Sequence, residues 1–255
     1  AFLPLDHTPG TCRMCLVEIE DPQAEGGMRI VTACTTPMEE GMRVHTRTKK
    51  VRRMQRLQAA WLFADHDQDC ASCVRHGDCE LQDIALYVGL KHNTCNGRFT
   101  TPRPFDPSQN GLLRDVNKCI RCGRCVEVCR QVQGISALTM DDISMRCGVG
   151  ISHAESWAGS PDCVQCGQCT MVCPTGALGE NDQTAVAEDW FEDPEIKTVV
   201  AFAPAVRVTV GDAFGMKPGE NAEGQVITAL KRLGADYVCD INWAADVTIM
   251  EEGTE

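Results

Sequence analysis

The sequence predicts an α+β, multidomain chain, and three observations carry that prediction. Its 17 cysteines, in 255 residues, fall mostly in tight C-x2-C runs. One cysteine-bearing block occurs twice, as CIRCGRCVEVC (119–129) and CVQCGQCTMVC (163–173). The last stretch, from 193 onward, changes to a β-α-β texture. Thiols two residues apart converge on one metal, whereas disulfide frameworks spread their cysteines. Metal-bound thiolates also suit a reducing compartment, so a cytoplasmic location is expected.

Taken in order, residues 1–48 read as a β-rich unit. LVEIE (16–20) and RIVTAC (29–34) have strand character and are joined by the turn-rich DPQAEGGM. A helical unit spans 49–95, where Val51, Met54, Leu57 and Trp61 recur at three- and four-residue steps. That stripe predicts a core-facing side. Thr, Pro, Asn and Gly enrichment marks 96–114 as a linker. Residues 115–192 hold the repeat. From 193, TVVAFA (198–203) and DYVCDI (236–241) predict two buried strands, with Pro204 placed to open a helix. Between them EGQVITALKRL (223–233) predicts a helix, with Gly234 as its C-cap.

The repeat is the most specific signal. C-x2-C-x2-C-x3-C, duplicated, is the ligand run of a two-cluster [4Fe–4S] ferredoxin, in which the fourth cysteine of each copy serves the other cluster. Cys119, Cys122, Cys125 and Cys173 are thus expected on one cluster, and Cys129, Cys163, Cys166 and Cys169 on the other. Gly123 and Gly167 would let backbone N–H groups approach. Zinc needs four ligands per ion and has no use for a crossed fourth cysteine.

His66, Cys70, Cys73 and Cys79 form a third set. Three thiols and an imidazole suit zinc, or a [4Fe–4S] cluster whose potential is raised by a neutral ligand. Beside a ferredoxin repeat the cluster is the better reading. His76 reads as a surface residue. Cys12, Cys15 and Cys34 match three ligands of a plant-type [2Fe–2S] centre. The upstream position for the fourth falls on Ala1, which is not a cysteine. Cys95, Cys147 and Cys239 read as structural.

A net charge of −12, made more negative by thiolate clusters, argues against a nucleic-acid partner. A basic docking surface on another redox protein is the better complement. No apolar run approaches the roughly 20 residues of a membrane span, and neither GDAFG nor GMKPGE has the G-x-G-x-x-G spacing of a dinucleotide loop.

The order of these motifs over 1–180 resembles an electron-entry region shared by several families. They are the large complex I subunit of the NADH-quinone oxidoreductase-G type, NAD-linked formate dehydrogenase alpha subunits, diaphorase gamma subunits and multicluster [FeFe] hydrogenases. AFAPAVRVTVGDAFG (201–215) and DINWAADVTIMEEGTE (240–255) resemble the opening of the [FeFe] hydrogenase catalytic domain. The resemblance implies a plant-type [2Fe–2S] ferredoxin-like unit, a His-ligated [4Fe–4S] helical unit, a two-[4Fe–4S] ferredoxin module and the start of an α/β hydrogenase domain. It implies one [2Fe–2S] and three [4Fe–4S] clusters. Electrons would come from ferredoxin or from flavin/NAD(P)H-binding redox subunits, and the parent enzyme would interconvert protons and H2. It places Ala203 and Pro204 in the pocket of the family's six-iron H-cluster, and Glu252 and Glu255 on its proton path. A carboxylate suits that path when partial burial lifts its pKa. The T-S-C-C-P ligand segment does not occur in these residues, so the chain is expected to be a fragment, inactive alone. A non-catalytic electron-transfer subunit and a zinc protein are the alternatives.

Overall fold

The computed structural model describes residues 10–91, 105–141 and 147–253. It divides into two compact units, Ala1–Asn181 and Asp182–Glu255.

In the first unit, strand β1 (Leu16–Glu20) pairs antiparallel with β2 (Met28–Thr32), Leu16 lying opposite Thr32 and Glu20 opposite Met28. Its other edge takes β3 (Val44–His45). Leu16, Val17 and Ile19 are buried, as is Glu18, whose carboxylate meets Lys50 Nζ at 3.6 Å. Helix α1 (Lys49–Ala64) starts at Thr48, whose hydroxyl accepts from the Val51 N–H. Its buried face is Val51, Gln55, Ala59 and Ala60. The expected core stripe is therefore corrected: Val51 is fully buried, but Leu57 and Trp61 are 44% and 53% exposed. The helix lies close over β1, where alanines leave room and Gln55 Nε2 donates to the carbonyls of Met14 and Leu16. Helix α2 (Glu80–Val88) packs beside α1 and ends at Gly89, in the left-handed region.

Strands β4 (Phe105–Asp106) and β5 (Leu112–Asp115) follow. The linker expected over 96–114 is thus corrected from Phe105 onward. Residues 92–104, with Cys95, lie outside the described residues. The first repeat carries α3 (Arg124–Glu127), which widens into a π-turn over Val128–Val132. Then come the hairpin β6 (Leu138–Asp141) and β7 (Gly148–Ile151), helix α4 (Gln168–Val172) in the second repeat, and β8 (Leu178–Glu180), which completes an antiparallel sheet in the order β4-β5-β8. Asp106 explains why this segment is ordered. Its carboxylate accepts from the backbone N–H of Ser108 and Trp157 and from Arg114 Nη2.

The second unit contains α5 (Thr184–Glu192), β9 (Val199–Phe202), α6 (Val206–Ala213), α7 (Glu223–Leu233), β10 (Tyr237–Asp240) and α8 (Ile241–Glu252). β9 and β10 are parallel, Val199 opposite Tyr237 and Phe202 opposite Asp240, as a β-α-β unit requires. Gly234 caps α7 at φ 117°, where a Cβ would meet the Phe191 carbonyl at 2.9 Å. The expectation of two buried strands is corrected. Val199 and Tyr237 are 67% and 62% exposed, because two paired strands leave a sheet face uncovered. The helix after Pro204 begins two residues later than expected, at Val206. No helix among the described residues is long and apolar enough to cross a membrane.

Candidate metal centres

The cysteines expected together in each crossed quartet line a common cavity. Cys119, Cys122, Cys125 and Cys173 line one cavity, with Gly123, Pro174 and Thr175. Cys129, Cys163, Cys166 and Cys169 line a second, with Gly167 and Trp157. Local backbone does the crossing. Cys125 and Cys129 stand four residues apart and would share a helix face, but the π-turn breaks that register at Cys129. In the second copy Pro174 follows Cys173, and α4 stops there in extended backbone. The first copy has Arg130 at that place. Gly123 and Gly167 both sit at φ 74°, and no protein atom lies within 4 Å of a Cβ built on Gly167. At both, the left-handed backbone calls for glycine, and at Gly167 close packing against protein does not.

Burial pushes these thiols up: Cys119 to about 11, Cys169 to about 12, and Cys122 and Cys125 also above the ordinary value. Neighbouring thiols of the same quartet add to the rise. Backbone N–H groups oppose it, Arg121 N donating to Cys119 Sγ at 3.4 Å. Cys125 and Cys169 belong to the apolar core, with Leu112, Leu138, Val149, Ile151, Trp157 and Leu178.

His66, Cys70, Cys73 and Cys79 line a third cavity. His66 is buried, and burial holds its pKa below the ordinary imidazole value, so the ring is neutral near pH 7. It hydrogen-bonds the Lys118 backbone, and Nδ1 is buried with no partner. A neutral imidazole with an unused buried nitrogen, facing three thiols, is a ready ligand. Cys79 caps α2, its pKa raised by burial against the N–H groups of Leu81 and Gln82. His76 is exposed.

Cys12, Cys15 and Cys34 come together at the edge of the β1–β2 sheet. Burial raises the Cys34 pKa, with a hydrogen bond to Cys15 and the charges of Cys15 and Cys12 adding to it. Ala1 lies outside the described residues. Cys147 and Cys239 are half-buried and line none of the three cavities.

The tail residues are less convergent. Ala203 and Pro204 follow the carboxyl end of β9, the side of a parallel sheet where sites form. Glu252 stands exposed in the last turn of α8, without the partial burial expected of it. Glu255 lies outside the described residues.

Two residues have roles that the motifs do not announce. Trp157 is buried, and its indole N–H donates to Cys163 Sγ at 3.2 Å; no spacing rule marks it. Arg124 forms a two-point ion pair with Glu80, Nη1–Oε1 2.5 Å and Nη2–Oε2 2.9 Å. A signal for Arg124 is present in the sequence, because the second copy of the repeat carries Gln168 in its place.

The thiols of each set ring a cavity, as the ligands of a polynuclear cluster do. Known families agree with that reading. Residues 7–49 match a 2Fe-2S iron-sulfur cluster binding domain, 55–94 the NADH-ubiquinone oxidoreductase-G iron-sulfur binding region, and 118–177 a 4Fe-4S dicluster domain. Residues 196–255 match the iron only hydrogenase large subunit, C-terminal domain. The chain resembles the N-terminal part of an iron-only hydrogenase. It is 35% identical to the NADP-reducing hydrogenase subunit HndD of Solidesulfovibrio fructosivorans, over 99% of this chain and 42% of that protein. It is 33% identical to iron hydrogenase 1 of Clostridium pasteurianum, over 96% and 41%. An NADH-quinone oxidoreductase subunit of Rhizobium meliloti is 36% identical over 71% of this chain and 20% of its own length. A crystal structure of an NAD+-reducing [NiFe]-hydrogenase superposes with TM-score 0.59 at 28% identity, over 68% of this chain and 70% of that one. The chain thus spans about two fifths of the two hydrogenase relatives, and it carries 2Fe–2S and 4Fe–4S cluster-binding domains.

Proposed function

We propose that this chain is the electron-relay portion of an [FeFe] hydrogenase that interconverts 2 H+ + 2 e− and H2. The observation that carries the reading is the sorting of eight cysteines from a duplicated run into two crossed quartets. When bound, the clusters supply one-electron carriers. The chain supplies their ligands: Cys119, Cys122, Cys125 and Cys173 for one [4Fe–4S], Cys129, Cys163, Cys166 and Cys169 for a second, and His66, Cys70, Cys73 and Cys79 for a third. Cys12, Cys15 and Cys34 supply three ligands of a [2Fe–2S]. Ferredoxin or a flavin/NAD(P)H-binding subunit is the donor. Ala203, Pro204, Glu252 and Glu255 belong to the hydrogen-forming part.

Iron and acid-labile sulfide analysis of anaerobically purified protein, with EPR after dithionite, tests the cluster assignment. Both two-iron and four-iron signals are expected, and a colourless, zinc-loaded protein overturns it. In the full-length enzyme, Cys125→Ala and Cys169→Ala should abolish activity with the physiological donor; undiminished turnover would sink the relay. The other reading is a non-catalytic iron–sulfur subunit of an NAD(P)-linked complex, favoured by the NADH-ubiquinone oxidoreductase-G match over 55–94. The hydrogenase match over 196–255 favours the first.

A further inference from the structure

The two copies of the cysteine repeat differ in charge. The first reads Lys118-Cys-Ile-Arg121-Cys-Gly-Arg124-Cys, and the second Asp162-Cys-Val-Gln165-Cys-Gly-Gln168-Cys. Each arginine of the first copy pairs with an acid beside a ligand of the third cavity. Arg121 pairs with Asp65, next to His66, and Arg124 with Glu80, next to Cys79. The Arg124 side chain is 13% exposed and Glu80 54%. Arg124 also lies within electrostatic reach of Cys122 and of Cys12. Other contacts join the same two sites: Cys79 Sγ lies 3.8 Å from the Pro174 carbonyl, beside Cys173, and His66 hydrogen-bonds the Lys118 backbone, beside Cys119.

We propose that Arg124 is a positioning residue that clamps the His66–Cys79 site to the Cys119 quartet and holds positive charge beside that quartet, favouring its electron-loaded form. The inference rests on the cluster assignment above. It goes beyond it in assigning a role to a residue that ligates nothing. The fork of a guanidinium fixes a carboxylate at two points, which an ammonium does not. A nearby cation favours the reduced state because that state carries one more negative charge. The couple concerned is a one-electron reduction, with no proton or atom transferred, and dithionite supplies the electron in the test. Gln168 shows that a glutamine at this place is compatible with the cysteine loop.

The experiment is an EPR-monitored redox titration of the whole chain and of R124Q, R124K and E80Q, with iron content measured in each. The component of the Cys119 quartet is the one that Cys122→Ala removes. In R124Q the reduced-to-oxidised ratio of that component at fixed potential should fall about tenfold, which is about 59 mV for a one-electron couple. R124K should recover most of this ratio, because it returns the charge. E80Q should move it the opposite way, because it removes the compensating anion. Magnetic broadening between the His66 site and this component should weaken in both R124Q and R124K, which lack the fork. R124Q and E80Q shifting in the same direction, or both leaving the ratio within twofold, overturns the proposal. Should R124Q not fold, R124K and E80Q carry the test. Wild-type protein without four-iron signals would instead overturn the cluster assignment on which the proposal rests.

Discussion

Trp157 donates its indole N–H to Cys163 Sγ at 3.2 Å from a position 1% exposed. A hydrogen bond to a charged acceptor contributes about 1.5–3 kcal/mol. The part of it that strengthens on reduction raises a cluster's potential. W157F should therefore lower the potential of the Cys129/Cys163/Cys166/Cys169 site with iron content retained, as read by EPR titration. An unchanged potential would remove Trp157 from the redox account. Asp106 works on stability instead. Burial pushes its carboxyl up, but hydrogen bonds from Ser108, Trp157 and Arg114 outweigh that and hold it below the ordinary 3.8. A depressed carboxylate contributes stability that is present above the unfolded value and lost as pH falls through the folded one. D106N leaves Arg114, 9% exposed, without its anion, at a cost of about 3–5 kcal/mol near pH 7. The gap between the denaturation midpoints of wild type and D106N should narrow as pH is lowered below about 4, the ordinary carboxyl value.

Single elements show why some of this architecture was legible in the sequence and some was not. The β1–β2 hairpin, the α7 helix with Gly234, and the β9/β10 pair follow from local patterns, and all are present. The α1 stripe misleads because helical periodicity gives the members of a face but not what covers it. Val51 and Trp61 share the expected stripe, yet one is fully buried and the other 53% exposed. V51A should cost about 2 kcal/mol, whereas W61A should stay within about 0.5 kcal/mol; chemical denaturation separates them. Gly176 and Gly179 pose the same problem on a strand approach. Neither has an unusual φ, but a Cβ on Gly176 would run into Cys73 Sγ, and one on Gly179 would fall 2.6 Å from Val74 Cγ2. Close packing of this kind joins residues about a hundred positions apart and leaves no trace in spacing. G176A should cost about 1–3 kcal/mol through overpacking and lower the iron held at the His66 site. Full iron with unaltered stability would mean that the Cys73 loop gives way freely.

At the scale of the whole molecule, the residues proposed to hold clusters all fall in one unit. Every cysteine and the histidine of the four sites lies within Ala1–Asn181, and Asp182–Glu255 contains only Cys239. The crossed quartets could be expected because their members sit in two short runs of ferredoxin spacing, a pattern in which the fourth cysteine of each run serves the other cluster. The ion pairs beside them were not, since Arg124 and Glu80 are 44 residues apart and are brought together only by folding. The buried thiols and apolar side chains of the ferredoxin module form one small core, so iron binding and folding of that unit are linked. Residues 1–181 produced alone should therefore keep the iron-to-protein ratio and the reduced EPR spectrum of the whole chain. Residues 182–255 alone should be colourless. Chelation of iron from 1–181 should lower its denaturation midpoint, while the same treatment leaves 182–255 unaffected. Loss of a four-iron component on removing 182–255 would show that a cluster site draws on the second unit, and the assignment of ligands would then have to include a residue beyond Asn181.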